Sequence, residues 1–210
     1  METTTVSPKL LRRLPLYLNY IKSLPDTMEN VSATQMAKAL GLGDVMVRKD
    51  LAKVSDGGRR KLGYVREKLI WDIENFLDVN STTCAVIVGA GKLGRALLDY
   101  TGFNESGLHV LAAFDSNAAA VRSGEGKPIY PMSELEDFCD SCGVRIGIIA
   151  VPAEHAQEVC DRMVSCGIEA IWNFAPVRLM VPDHVLVQNE NLAVSLTALR
   201  VQLKNRSKVE

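Results

Sequence analysis

No run in the 210 residues comes near the roughly 18 uninterrupted apolar positions of a membrane span, so none is expected to cross a bilayer. The opening Met1-Glu2-Thr3-Thr4-Thr5 is polar and leads into no apolar stretch, which argues against a signal peptide. Cysteine is scarce and odd in number (Cys84, Cys139, Cys142, Cys160 and Cys166), so the thiols read as reduced, in a cytoplasm. Cys139 and Cys142 have the spacing of half a zinc site, but no second pair matches it, and a packed helix is the simpler reading. The three histidines, His109, His155 and His184, stand apart, and only His155 falls where it would face a ligand cleft. There is no repeat and no low-complexity tract. Nor does one sign of charge dominate: 24 Lys and Arg stand against 25 Asp and Glu.

That balance hides an asymmetry. Residues 1–80 carry 13 basic and 10 acidic side chains, whereas 81–210 carry 11 and 15, and within 48–68 the count is eight to three. A cationic segment joined to an acidic body points to a nucleic-acid contact. Hydrophobic residues at 47% exclude a disordered chain, and 210 residues exceed the usual single domain, so two are expected.

The first half reads as helices. Leu10, Leu14, Tyr17, Leu18 and Ile21 recur at helical spacing over 8–24, and Pro25-Asp26 closes that segment. Ser32 is placed to cap a second helix, with Gln35 completing a capping box, and the helix stops at Gly41-Leu42-Gly43. Asp44 is placed to cap a third, reaching about Val54. Ala37, Gly41 and Val47 then supply the small residue, turn glycine and apolar anchor of a helix-turn-helix, with Leu40 and Leu51 beside them. This arrangement exposes Arg48, Lys49 and Lys53 toward a major groove, next to Val45 and Met46. The Ser55–Tyr64 stretch, with Arg59, Arg60, Lys61 and Tyr64, reads as a basic hairpin or wing. A further helix covers 66–79.

From Thr83 the pattern changes to strands alternating with helices, the signature of a parallel, doubly wound sheet. Strands are expected at 84–88, 109–115, 128–130, 145–151 and 170–174. Helices follow Gly94 through Tyr100 and occupy 132–142, 153–166 and 192–204. Gly89-Ala90-Gly91-Lys92-Leu93-Gly94 follows an apolar strand and opens a helix, the context in which a GxGxxG loop receives a pyrophosphate. Twenty-one residues after Gly94, Asp115 ends the second strand, where a carboxylate accepts from an adenosine ribose. Ser116-Asn117 follow, with no arginine to take a 2′-phosphate, so NAD is favoured over NADP.

Together the two halves resemble the Rex family of redox-sensing transcriptional repressors. The resemblance spans essentially the whole chain. It rests on Val47-Arg48-Lys49-Asp50-Leu51, Gly63-Tyr64, the Gly89–Gly94 loop with Leu97 and Asp99-Tyr100, Phe114-Asp115, Val151-Pro152 and Asn173-Phe174-Ala175-Pro176-Val177. It implies a winged-helix domain over 1–80, a Rossmann NAD(H) domain over 81–191, and a helix within 192–210 that is swapped onto the partner of a homodimer. It implies palindromic operator DNA that is released when NADH binds, and no catalytic role. Val151 and Pro152 would lie under the nicotinamide and Asn173 and Phe174 beside it, while Tyr100 reaches in from the partner. Arg13 joins the DNA-side residues. Two positions depart from the family pattern: the wing is more cationic and less aromatic, and Asn191 stands where many members carry an acid able to pair with Arg13.

The residues themselves leave open an NAD-dependent dehydrogenase and a CoA-binding Rossmann module. A dehydrogenase needs a substrate domain and a general acid or base, and only about one helix follows the Rossmann unit. Trp71 and Trp172 read as core or interface residues.

Overall fold

A computed structural model describes residues 6–117 and 126–206; Met1–Thr5, the segment weighed above as a leader, lie outside the described residues. The chain divides into two compact units, Met1–Ser81 and Thr82–Glu210.

In the first unit α1 (Pro8–Ser23) opens with a proline at its start, where the missing N–H costs nothing. It buries the five apolar residues expected from the spacing. A two-residue strand β1 (Asn30–Val31), absent from the sequence reading, precedes α2 (Ala33–Leu40). The Ser32 hydroxyl accepts from Gln35 N–H at 3.1 Å, but the Gln35 side chain turns to Met28 Sδ, so only half of the capping box forms. Gly41 ends α2 in the left-handed region, φ 64°. In α3 (Asp44–Val54) the N-cap is Gly43 rather than Asp44, which sits one position inside. Strand β2 (Tyr64–Val65) pairs antiparallel with β1 and leads into α4 (Arg66–Phe76). One core gathers Leu14, Tyr17, Met36, Val47, Leu51, Leu69 and Ile73. Trp71 is not in it: the side chain is exposed on α4.

The second unit is a six-stranded, wholly parallel sheet. Its strands are β3 (Thr83–Val88), β4 (Leu108–Asp115), β5 (Ile129–Pro131), β6 (Ile146–Ile149), β7 (Ala170–Asn173) and β8 (Leu186–Asn189), in the order β5-β4-β3-β6-β7-β8. Strand β8 was not read from the sequence, and β6 is shorter than expected. Helices α5 (Lys92–Leu98), α6 (Leu135–Cys142) and α7 (Ala153–Ser165) cover the faces. Along β3, Ala85 and Ile87 face one core with Leu98, while Val86 and Val88 face the other with Cys160 and Met163. Two covered faces are why the strands are apolar throughout rather than alternating. The helix after the glycine loop ends at Leu98, short of Tyr100, and a 3-10 segment, Thr101–Ser106, follows. The last helix, α8 (Leu192–Arg206), buries none of its side chains.

The chain leaves β3 toward β4 and returns to β6 on the other side. The carboxyl ends of β3 and β6 therefore part, and a parallel sheet opens a crevice at such a switch point.

Candidate DNA-binding face and nucleotide cleft

The outer side of α3 carries Val45, Arg48, Lys49 and Lys53, all exposed, with Met46 half-buried beside them. Arg48 is held in place: its Nη2 lies 2.8 Å from Asp44 Oδ2 and donates to Thr34 Oγ1 at 3.1 Å. A groove of about 480 Å³ runs beside it, lined by Ser32, Thr34, Arg48, Arg59, Arg60, Lys61 and Tyr64. The wing is smaller than a full hairpin. Arg59 and Gly63 exchange both backbone bonds (2.8 and 2.9 Å) around a three-residue tip, and Lys61 at that tip adopts φ 70°. Tyr64 is a support rather than an exposed contact; a Cβ on Gly58 would sit 2.9 Å from its ring.

Arg13 does not stand with these cations. Its guanidinium grips Asp50 through Nε–Oδ2 (2.7 Å) and Nη2–Oδ1 (2.8 Å), and Tyr17 Oη–H donates to the same carboxylate at 2.8 Å. Asp50 lies on the inward face of α3 and is only 5% exposed. Burial alone would raise its pKa; the hydrogen bonds from Arg13 and Tyr17 overcome that and hold the carboxyl below its ordinary value. Burial, then the bond to Asp50, pushes Tyr17 up to about 12. The bidentate fork fixes α3 against α1 in rotation as well as in distance. The sequence reading missed Asp50 and Tyr17 in this role, although an acid three residues after buried Val47 and next to buried Leu51 was a visible signal.

In the second unit the glycine loop is built by exclusion. Gly89 has φ 103°, and a Cβ there would meet the Ala150 carbonyl at 2.5 Å. On Gly94 it would lie 1.8 Å from the Gly89 carbonyl, so only glycine lets α5 start this close to the loop. Gly91 faces open space. Arg95 Nε donates to the Ala90 carbonyl at 2.7 Å and ties the loop to α5. From the other side Asp115 Oδ2 accepts Ala90 N–H at 2.7 Å, while Oδ1 accepts Asn117 N–H at 2.9 Å. An ionised carboxylate has about four acceptor positions, so this one is anchored and still able to accept two hydroxyls.

A cleft of about 490 Å³ brings together Gly89, Gly91, Asp115, Val151 and Pro152. Its far wall is one face of α7, where His155, Glu158, Val159 and Arg162 follow i, i+3, i+4, i+7 spacing. Of these only His155 was singled out in the sequence. Of the other expected ligand residues, Ala90 is buried under the loop, and Lys92 and Leu93 are exposed on the first turn of α5. Phe174 is half-buried against Trp172, with ring centroids 4.5 Å apart, and exposed Tyr100 packs edge-on to Phe103 of its own chain.

Asn173 is corrected most clearly. It has no exposed surface. Its amide donates to Val177 O (2.9 Å), Asn189 Oδ1 (2.8 Å) and Ala175 O (3.2 Å), and its oxygen accepts Ala175 N–H (2.9 Å). Its side chain shapes the 174–177 turn from behind. Asn191 likewise has local work: Oδ1 accepts Val194 N–H at 3.0 Å and caps α8. Among the described residues no cluster of His, Cys, Asp and Glu is arranged for a metal. Burial pushes the thiols of Cys139 and Cys160 up to about 12 and about 11, far from a reactive thiolate.

The two halves match different families. Residues 5–52 match that described as putative DNA-binding protein N-terminus, and residues 80–177 match the CoA binding domain. Among solved structures, the chain is similar to RSP, a Rex-family repressor, in complex with NAD+ and operator DNA. The TM-score is 0.89 at 32% identity, covering 99% of this chain and 96% of that one. For RSP in complex with NADH the TM-score is 0.84, also at 32% identity, covering 99% and 98%. A winged-helix unit followed by a Rossmann unit with a glycine-loop cleft is the architecture of a ligand-responsive transcriptional regulator. The redox-sensing transcriptional repressor Rex of Porphyromonas gingivalis is 39% identical over 96% of this chain and 94% of its own length; that of Treponema denticola is 40% identical over 93% and 94%. The chain belongs to the Rex family of redox-sensing transcriptional repressors.

Proposed function

We propose that the protein is a transcriptional repressor that binds operator DNA through α3 and the wing and releases it when NADH occupies the Rossmann cleft. The observation that carries the reading is Asp115. Its carboxylate is pinned to the glycine loop by Ala90 N–H at 2.7 Å and faces the cleft with acceptor capacity to spare, as an adenosine ribose requires. Gly91 leaves the loop open to a pyrophosphate, and Val151 and Pro152 offer an apolar floor to a nicotinamide, whose two redox states differ by one charge. Arg48, Lys49 and Lys53 read or grip the duplex, and Arg59, Arg60 and Lys61 hold its backbone. Arg13 acts on DNA through Asp50 rather than by contact.

The working form is a homodimer in the cytoplasm, with α8 packed on the partner. The support is α8 itself: Leu192, Leu196 and Leu199, on one face, are 61–67% exposed. Two copies match the two half-sites of a palindrome. The reading assigns no turnover, so NADH incubated with the protein is expected to be recovered unchanged.

The test is retention of genomic DNA fragments at fixed salt. A small set sharing a palindrome, held with NAD+ and eluted by NADH, is expected; retention indifferent to NADH overturns the redox part. A second reading, CoA as the ligand, is favoured by the match of 80–177 to the CoA binding domain. Competition decides between them: CoA that displaces NADH at comparable concentration would replace the dinucleotide reading.

A further inference from the structure

An acid stands on the cationic face, where a polyanion gains nothing from it. Asp44, the first residue of α3, lies one turn before Arg48. Its Oδ2 is 2.8 Å from Arg48 Nη2, and its Oδ1 accepts the Thr34 hydroxyl of α2 at 2.9 Å. Arg48 Nη2 donates to Thr34 Oγ1 at 3.1 Å, so the three side chains close a ring between two helices. Of the cations Arg48, Lys49, Arg59, Arg60 and Lys61, only Arg48 forms an ion pair among the described residues. An exposed pair one helical turn apart adds little stability, and it needs no hydroxyl from a second helix to form.

We propose that Asp44 and Thr34 are positioning residues for operator choice: they clasp Arg48, cancel its charge toward phosphates and fix its direction toward base edges. The proposal rests on the reading above, in which α3 enters the major groove. Binding to arbitrary sequence is dominated by cations that displace counterions from phosphates, so net charge is what counts there. A clasped Arg48 brings almost none, because Asp44 enters with it. Base edges are read by the direction of donors, and the guanidinium keeps that capacity: the clasp engages Nη2 and leaves the donors on Nε and Nη1 unclaimed among the described residues. Thr34 sets the direction. A carboxylate on the same helix can swing with the arginine, whereas a hydroxyl on α2 belongs to a helix locked to α3 through the core that Ala37 and Val47 share. Lys49, Arg59, Arg60 and Lys61, with no acid attached, supply the grip on the backbone.

The test is equilibrium binding of the full-length protein, with NAD+ present, to two duplexes over a range of salt. One is the palindrome recovered by the retention experiment, the other a shuffled sequence of the same composition. Asp44→Asn is expected to bind the shuffled duplex about fivefold more tightly, with a salt slope steeper by about one, and the palindrome within about twofold, so its preference falls. Thr34→Val keeps both charges and is expected to lower the preference by about threefold with the slope unchanged. In an Arg48→Ala background, Asp44→Asn is expected to shift both duplexes alike. An unchanged preference in Asp44→Asn or in Thr34→Val would overturn the clasp. So would a preference that falls as far in the Arg48→Ala background, which would make Asp44 itself the reader. A wild type with no preference for a palindrome overturns the functional reading, and the clasp with it.

Discussion

Asp50 lies beneath α3 in the first unit and Asp115 at the rim of the cleft in the second, and the structure uses them in opposite ways. Asp50 is turned inward beneath α3, with both oxygens taken by Arg13 and Tyr17. Asp115 is half-buried at the end of β4, takes two backbone N–H groups, and keeps its remaining acceptors toward open space. The first carboxylate aims a helix whose outer face is the one we propose for DNA. The second is part of the surface it builds. A helix presented to a groove needs rotational precision from behind, whereas a cleft needs its polar groups fixed at the rim. One residue type therefore serves as a buttress in one unit and as the anchor of a glycine loop at a cleft rim in the other.

The comparison is broken most forcefully at the face that Asp50 supports. Replacing Arg48 and Lys49 by Ala should weaken operator binding by about 2–4 kcal/mol while the NADH titration stays put. A parallel loss of NADH affinity would mean that the units do not divide the labour as described. Next comes the buttress. Arg13→Ala strands a buried carboxylate and should destabilise the N-terminal unit by about 2–3 kcal/mol in denaturant unfolding, whereas removing both partners in Arg13→Met with Asp50→Leu should recover most of it. Operator affinity of Arg13→Ala should fall with an unchanged salt slope; a slope smaller by about one would make Arg13 a phosphate contact after all.

The same triad carries a pH signature. The depressed Asp50 contributes stability above its ordinary value of 3.8 that disappears as pH falls through the lowered one. Tyr17, raised from 10.0 to about 12, contributes below pH 10 and loses it as pH climbs to about 12. Thermal unfolding should show a shoulder at each extreme, and Asp50→Asn should remove the acid one. For the rim carboxylate, Asp115→Ala should cost NADH about 1.5–3 kcal/mol, read by fluorescence titration, with Asn intermediate because its oxygen can still accept Ala90 N–H. The smallest effect is expected at the wing tip. Lys61→Gly relieves a positive φ and should stabilise the fold by up to about 1 kcal/mol, while lowering the DNA salt slope by about one.

The strand, glycine loop and acid of the second unit were legible because covered parallel strands are apolar runs and because the loop excludes every other residue type at Gly89 and Gly94. The helix-turn-helix was legible because Ala37 and Val47 are buried and Gly41 takes a left-handed φ of 64° at the end of α2. What escaped depended on partners distant in sequence. Strands β1 and β8 are two and four residues long and exist through pairing with β2 and β7. Arg13 looked like a surface cation because its partner lies 37 residues away. Asn173 looked like a ligand contact because a motif gives its position and not the direction of its side chain. The α7 wall of the cleft was readable in principle, since helical spacing from His155 reaches Glu158, Val159 and Arg162.

Asn173 has a consequence for how such a sequence changes over time. Its amide is committed on one side to the turn that presents Phe174, and on the other to Asn189, its neighbour across the sheet. No single replacement at 173 reproduces both, and a replacement at 189 without an acceptor removes one of the three acceptors around this buried amide. The two asparagines should be inherited together, and a lineage that alters one should be found to have altered the other. Descent, as much as binding, is constrained by a side chain with no exposed surface.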